Sequence, residues 1–341
     1  MSTPSTPTPR AVPQRLPGPP RRVVVRVVAT QLLLAAVVGV AFVVMYGGLQ
    51  RDPQPHGLPV TVVGSASSHA ARRVLGSAVD VETAPDAVTA RRLVREGSEI
   101  AAFSVEGRVL RTYVAGPNGL AENGAAAALG SGLAKAQGRT AAVVDLVPLL
   151  PFDPRALASF YTVLGVTVGS FILAQALYAL RAIAPSGTQF AAIGTFAVLI
   201  ATLIAVVVGP LLQLVPVPLV ELIPALTLLS IAVSTTARAL TAWFNSYGIT
   251  AATLLMTAVG LSVSGGIVGR DLLPAPIGAL GAILPPGAGF RTVVDLGYFG
   301  AERAFPALVA LVVWACAGTA ALLLHGSLAR RHDEGGGLTI D

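Results

Sequence analysis

The sequence predicts a polytopic α-helical membrane protein with six transmembrane helices and a small extracytoplasmic α/β domain between the first and the second. Two apolar regions, residues 23–46 and 157–324, enclose a more polar stretch, residues 50–155. A helix needs roughly 20 apolar residues to cross the hydrocarbon core of a bilayer, and both regions supply runs of that length. The chain is 54% hydrophobic and 12% charged, which is too few charges to cover a soluble protein of 341 residues.

The first apolar run, Val23–Tyr46, is interpreted as an uncleaved membrane anchor, with residues 23–47 as the first transmembrane helix. The alternative is a secretory signal, whose apolar region is usually about 7–15 residues long and precedes a small-residue cleavage site. Val23–Tyr46 is longer, and Tyr46–Gln50 offers no such site. Residues 1–22 are rich in Ser, Thr and Pro and are predicted to be a disordered cytoplasmic tail.

Residues 48–155 alternate between strand and helix patterns in the order βαβαββαβ, which predicts an α/β domain that folds on its own. Pro85–Glu96 is predicted to be a helix, with Asp86 in its first turn and Gly97 just past its end, and Glu106-Gly107 marks a two-residue hairpin. The predicted strands are 59–63, 79–83, 100–105, 108–114 and 141–147, and the last predicted helix is Leu120–Gln137. The predicted apolar core contains Val62, Val74, Leu93, Ile100, Ala102 and Val143.

Residues 156–326 are predicted to form a five-helix transmembrane domain, followed by a cytoplasmic tail, residues 327–341. The predicted spans are Leu157–Leu180, Phe190–Val215, Leu219–Ala237, Ile249–Val268 and Phe305–Leu324. Arginines precede the first span and follow the last, and others lie in the short loops near Arg181 and Arg238. Because positive residues are enriched in cytoplasmic loops, we expect a multi-pass plasma-membrane protein with both termini in the cytoplasm.

The segment 271–300 lacks the continuous apolar pattern of a simple transmembrane span. Ala275–Leu284 is apolar but too short to cross, and Pro285-Pro286-Gly287 ends any helix there. A short apolar piece between helix breakers is typical of a re-entrant or interfacial segment. A plain outer loop with a surface helix fits the same pattern, and the sequence leaves both interpretations open.

Glu221 is the most distinctive single residue, because a carboxylate inside a bilayer usually faces a cavity or a partner. It is a candidate for a transport pathway; its position near the start of a span also fits a solvated place at the outer interface. Gly165 and Gly169 give the second span a small-residue face. That face predicts either packing within the chain or a homodimer interface.

The sequence gives no sign of enzymatic chemistry, and we expect no catalytic residues, no cofactor and no metal site. The glycines near Lys135 lack the spacing of a phosphate-binding loop, and the four histidines show no ligand spacing. The isoelectric point of about 10.1 would suggest nucleic acid in a soluble protein. Here the basic excess lies at membrane edges, so the expected partner is the lipid bilayer and not nucleic acid.

Two stretches, Leu58–Gly64 and Asp86–Gly97, are followed by the strand Ile100–Val105, and Asn118 precedes an Ala-rich helix. Together with one span, an outer domain and five spans, this resembles the ABC-transporter type-2 permease family, closest to its phage-infection-protein branch. The resemblance implies an exporter subunit energised by a separate ATPase subunit in trans.

In that family the ATPase contacts the cytoplasmic segment between the second and third spans, which is Arg181–Gln189 here. The resemblance thus implies a docking loop that contains Arg181, Ser186, Gly187 and Thr188. The segment is short and has no acidic residue, and the outer domain is shorter than those of the phage-infection-protein branch. The alternative function is a non-transporting envelope scaffold or secretion accessory protein whose outer domain binds a partner.

Overall fold

The computed structural model describes residues 21–49, 51 and 53–335, so most of the predicted N-terminal tail and the end of the C-terminal tail lie outside the described residues. The described chain is mostly helical and contains one α/β unit. The α/β unit consists of β1 (Leu58–Val63), α2 (Ser65–Leu75), β2 (Val79–Ala84), α3 (Ala87–Arg95), β3 (Ala101–Glu106), β4 (Val109–Val114), α4 (Gly119–Ala136) and β5 (Thr140–Asp145). This is the predicted βαβαββαβ order.

The five strands form one sheet in the order β2-β1-β3-β4-β5. Helical crossovers make β1 parallel to both β2 and β3, and α4 makes β5 parallel to β4. The turn at Gly107, whose φ is 61°, makes β3 and β4 antiparallel. Asp86 caps α3: its carboxylate accepts a hydrogen bond of 2.8 Å from the Thr89 N–H, and this bond lowers the pKa of Asp86.

The sheet is covered on both faces. Helices α2 and α4 pack on the face that carries Val60 and Phe103, whereas α3 packs on the face that carries Ala102. Two predicted core residues are wrong: Val74 is 50% exposed and Val143 is 53% exposed. Val74 lies on the outer side of α2, and Val143 lies on the edge strand β5, where no further strand covers it.

The core of the α/β unit is completed by residues far along the chain. The cluster around Leu58, Val60 and Phe103 also contains residues between the end of the α9 helix (Gly260–Ser262) and position 284. These are Val263, Val268, Leu272, Leu273 and Leu284, each at most 5% exposed. The predicted domain boundary at residue 155 therefore marks a change in sequence pattern, but residues on both sides of it share one hydrophobic core.

The remaining helices are long and apolar. They are α1 (Arg21–Val43, continued by a π-helical turn to Gly48), α5 (Ala158–Ala179), α6 (Ser186–Val206, continued by a π-helical turn to Leu211), α7 (Leu219–Phe244), α8 (Ser246–Thr253, continued by a π-helical turn to α9) and α12 (Ala301–Gly335). Helix α7 is central and packs against α5, α6 and α12. Its buried Leu222, Leu226, Leu229 and Val233 recur every three or four residues, as one helix face requires.

Between α9 and α12 lies a bent helix pair, α10 (Ala275–Ile283) and α11 (Pro285–Val294, continued by a π-helical turn to Phe299). The two helices meet at 79°. Leu284 is extended (ψ 146°), as expected before the proline pair. The Trp314 indole N–H of α12 donates to the Ile283 carbonyl over 2.7 Å, which satisfies one of the carbonyls freed by the bend.

Both ends of the bent pair lie against the α/β unit. Before α10, the Asp271 N–H donates to the Glu122 carboxylate on α4 over 3.4 Å. After α11, the Phe299 ring lies so close to Gly97 that a Cβ there would be 2.8 Å from it. The pair therefore leaves the α/β unit and returns to it.

Among the described residues, five helices are long and apolar enough to cross a membrane, and the bent pair raises the number of candidate spans to six. Several predicted bounds change. The predicted span Ile249–Val268 is a helix only to Ser262, because Gly265 adopts a φ of 89° and the Gly266 backbone is pressed against the Phe160 ring. Helix α12 continues through residues 327–335, which were predicted to be tail.

Candidate functional site: an arginine-lined cleft beneath the α/β unit

Three arginines from different elements converge where the bent pair meets the α/β unit. Arg270 precedes α10, Arg291 lies on α11, and Arg303 lies in the first turn of α12. All three line a cavity of about 50 Å³, and Glu122 and Asn118 of the α/β unit line the same cavity. The same three arginines also line a neighbouring cavity of about 290 Å³. We call the two cavities together the arginine cleft.

The arginines are unequally neutralised. Arg291 Nη2 lies 2.6 Å from Asp295 Oδ1, an ion pair one helical turn apart in which Asp295 is almost fully buried. Arg270 Nε lies 3.7 Å from Asp271 Oδ1, a looser pair. Among the described residues, no carboxylate oxygen lies within 4 Å of the Arg303 guanidinium. The cleft therefore has cationic groups that are free to bind an anion.

Glu122 is the buried acid of the cleft. It is 5% exposed and lies in the first turn of α4, and its Oε1 accepts the Asp271 N–H over 3.4 Å. Its carboxylate packs directly on Gly269, where a Cβ would lie 1.8 Å from Oε1. Burial, followed by the nearby charge of Asp271, raises the pKa of Glu122 to about 7, although Arg291 and Arg270 act in the opposite direction.

A second buried acid, Glu99, lies two residues before β3, between Ser98 and Ile100 of the cleft lining, and is 7% exposed. Its Oε2 is buried without a hydrogen-bond partner in the described structure. Burial and the neighbouring Glu82 carboxylate raise the pKa of Glu99 to about 8, and the charge of Arg303 lowers it. At neutral pH the Glu122 carboxyl in the cleft is therefore partly protonated, which increases the positive character of the cleft.

Sequence reasoning did not find this site. Glu122 looks like a surface charge on an Ala-rich helix, and the arginines look like loop residues. Glu122 and Asp271 are 149 positions apart, so no local pattern brings them together. The one usable signal is the group of closely spaced glycines at Gly265, Gly266 and Gly269, because such a group can unwind the end of a helix.

The predicted pathway residue, Glu221, does not join the cleft. It lies in the first turn of α7 and is exposed. A carboxylate at a helix N-terminus interacts favourably with the helix dipole, so a structural role explains its position. This placement fits the interface interpretation better than the pathway interpretation.

The predicted docking segment is only partly a loop. Helix α5 ends at Ala179 and α6 begins at Ser186, so Ser186, Gly187 and Thr188 form the first turn of α6. Arg181 remains in the loop, where its guanidinium lies 4.2 Å from the Tyr178 ring centroid. All four predicted residues are exposed and therefore lie on an accessible surface.

The small-residue face of α5 is used within the chain. The nearest atom to a Cβ at Gly165 is Ile204 Cδ1, at 3.3 Å, and the nearest to one at Gly169 is Phe196 Cζ, at 3.5 Å. Both neighbours lie on α6. The face therefore packs α5 on α6, and it gives no support for a homodimer.

Buried polar contacts join α5 to α7, and the sequence analysis did not single them out. Ser170 Oγ lies 2.7 Å from Ser230 Oγ, and Ser234 Oγ donates to the Ser170 carbonyl over 3.4 Å. Both amide atoms of Gln175 on α5 are buried without a hydrogen-bond partner in the part of the chain that the structure describes. Hydrogen bonds between helices, such as those of Ser170 with Ser230 and Ser234, stabilise helix pairs in an apolar environment by about 1 kcal/mol or less each.

Comparisons with known protein families, with curated proteins and with solved structures give no match for this chain. The resemblance to type-2 permeases therefore stays a prediction.

Proposed function

We propose that the chain is a permease-like membrane subunit of an ABC-type exporter that is energised by a separate ATPase. The observation that carries the proposal is the bent pair: an apolar helix pair that leaves and returns to the α/β unit, with the arginine cleft at its open end. Transporters place interrupted helices and their freed backbone groups at substrate sites. A purely structural anchor has no need of an interrupted apolar helix beside ionisable groups.

The chain path supports a specific arrangement in the cell membrane. The α6–α7 connection lies next to the C-terminal end of the bent pair, because Pro216 and Val217 lie 3.2 Å from a Cβ placed at Gly297. The end of α9 also lies there, since Val263 packs in the core of the α/β unit. We therefore propose that α1, α5, α6, α7 and α12 cross the membrane, that the shorter apolar helix α8–α9 (Ser246–Ser262) makes the sixth crossing, and that the bent pair is a re-entrant segment.

In this arrangement both termini are cytoplasmic and the α/β unit is extracytoplasmic. Single cysteines at Arg108, on the exposed β3–β4 turn, and at Arg181, on the α5–α6 loop, test it in a Cys316→Ser background. A membrane-impermeant maleimide should label position 108 in intact cells and position 181 only after permeabilisation. Labelling of position 181 in intact cells would contradict the orientation.

The ATPase partnership is tested by crosslinking in cells, followed by purification of the full chain. We expect an ATPase subunit to co-purify. Replacing Ser186-Gly187-Thr188 by a bulky charged triplet should abolish co-purification, since this turn of α6 is exposed beside the loop. Replacement by three alanines is the matched control, because a Cβ at Gly187 meets nothing within 4 Å. If the wild-type chain brings down no ATPase, the exporter proposal fails.

The alternative, an envelope scaffold, is favoured by one feature. Strand β5 is an open edge of the sheet, and Val143 on it is 53% exposed. An open edge can pair with an extended segment of a partner protein. A photo-crosslinking residue at position 143 should capture such a partner if the scaffold function is the right one, whereas an exporter without this contact gives no adduct there.

A further inference from the structure

The larger cavity of the arginine cleft has two chemically different walls. One wall carries Arg270, Arg291, Arg303 and Asp295, and the other is apolar. The apolar wall consists of Ala282, Ile283, Pro306, Ala307 and Ala310. Three positive groups therefore face a single carboxylate, and the rest of the lining has no side-chain hydrogen-bonding groups.

The charged wall favours a phosphate group. Asp295 is already bound by Arg291 at 2.6 Å, Arg270 has only a loose partner at 3.7 Å, and Arg303 has no carboxylate within that range among the described residues. Guanidinium groups bind phosphate through paired, charge-assisted hydrogen bonds. Two incompletely neutralised arginines beside one cavity match the charge of a phosphate monoester.

The apolar wall indicates that the phosphate is attached to a hydrocarbon chain. The two helices that supply this wall also carry exposed apolar side chains: Leu280 and Ile283 on α10, and Phe305 and Val309 on α12. The volume of about 290 Å³ suits a head group but not a whole amphiphile, which would need several hundred Å³. The remainder of such a ligand would lie along this exposed apolar surface.

We propose that the arginine cleft binds the phosphate head group of an anionic lipid or lipid-like amphiphile, whose hydrocarbon chain lies along α10 and α12. This inference rests on the membrane placement in the proposed function, but not on the ATPase partnership. If the chain is an exporter, this class of molecule is its cargo. Arg303, the arginine without a close carboxylate, is the main head-group contact.

The test uses the full chain in detergent micelles and native mass spectrometry with three probes: dioleoyl phosphatidic acid, dioleoyl phosphatidylcholine and inorganic phosphate. Phosphatidic acid should bind at least about tenfold more tightly than phosphatidylcholine. Arg303→Gln should weaken phosphatidic acid binding about tenfold, because it removes a charge-assisted contact. Arg108→Gln, the same change on the exposed hairpin, should leave binding within about twofold.

A second pair of variants tests the apolar wall without changing charge. Ala307→Trp fills the wall and should weaken phosphatidic acid binding by about tenfold. Val313→Trp, on an exposed part of the same helix, is the control. Arg303→Lys should keep part of the binding, since it retains the charge but loses the paired donors. Unchanged size-exclusion profiles and thermal transitions show that each variant is folded.

Equal binding of phosphatidic acid and phosphatidylcholine, or unchanged binding in both Arg303→Gln and Ala307→Trp, overturns the inference. Displacement of phosphatidic acid by millimolar inorganic phosphate shows a site for free anions and overturns its lipid part. If alkaline carbonate extracts the chain from membranes, the chain does not span them, and the inference loses the membrane placement on which it rests. A membrane-bound chain that binds phosphatidic acid but recruits no ATPase refutes the exporter and leaves this inference standing.

Discussion

Replacing Glu122 by Gln should remove the contribution of this buried carboxyl to the pH dependence of the protein's stability. The pKa of Glu122 is raised from 4.5 to about 7 by burial in the cleft. Below pH 4.5 its carboxyl is neutral in both the folded and the unfolded protein. Between pH 4.5 and 7 the unfolded chain loses this proton while the folded chain keeps it, so the free energy of unfolding falls as pH rises.

The magnitude follows from the same shift. One pKa unit corresponds to about 1.4 kcal/mol, so the buried carboxyl costs roughly 3 kcal/mol of stability above pH 7. Glutamine is neutral at every pH, and its Oε1 can still accept the Asp271 N–H. Glu122→Gln should therefore be more stable than the wild type by up to roughly 3 kcal/mol at pH 8.5, and about equally stable at pH 4.5.

Thermal unfolding of the purified full chain in detergent, measured at pH 4.5, 6, 7 and 8.5, provides the assay. At about 2.1 cal/mol/K of unfolding entropy per residue, a change of roughly 3 kcal/mol in this chain corresponds to a rise in melting temperature of about 4 °C at pH 8.5. Glu302→Gln, the same change at an exposed position in α12, is the control and should follow the wild type at every pH. A constant difference between Glu122→Gln and the wild type from pH 4.5 to 8.5 would refute the reasoning.

Three further predictions concern the packing between the α/β unit and the helices. Gly269→Ala should lower the melting temperature, because its Cβ would overlap the Glu122 carboxylate; Gly187→Ala, which meets nothing within 4 Å, should not. Leu273→Ala should destabilise the full chain by about 2–5 kcal/mol in denaturant titration, since it removes a fully buried core side chain. The isolated fragment 56–150 should show no cooperative melting by circular dichroism, because part of its core lies outside it; a sharp transition would contradict the shared core.

Sequence patterns predicted the features that depend on neighbouring residues, such as apolar spans and the order of helices and strands. Apolar runs located α5 within one residue at each end, because a span is defined by composition over about twenty positions. The order of strands and helices along the α/β unit followed from alternation and turn residues. Asp86, which the sequence places in the first turn of its helix, is the N-cap of α3. Helix ends were less accurate where tertiary contacts decide them: α7 continues to Phe244, seven residues beyond its predicted end.

The arginine cleft could not be predicted in the same way. Its members come from α4, from the turn before α10, from α11 and from α12, and only tertiary packing brings them together. The sequence also predicted that the α/β unit folds on its own, because its helix and strand signals are locally consistent. Local consistency does not reveal that Leu272 and Leu273, in an apparent loop, fill the space beneath its sheet.

The shared core has a consequence for biosynthesis. Residues 263–284, which complete the core beneath the sheet, are translated about 120 residues after β5. At a synthesis rate of about 5–20 residues per second, the nascent α/β unit waits about 6–24 s for them. During that interval an apolar surface that is dry in the finished protein faces water. Slow translation of α5 to α9 would lengthen the exposure of this surface.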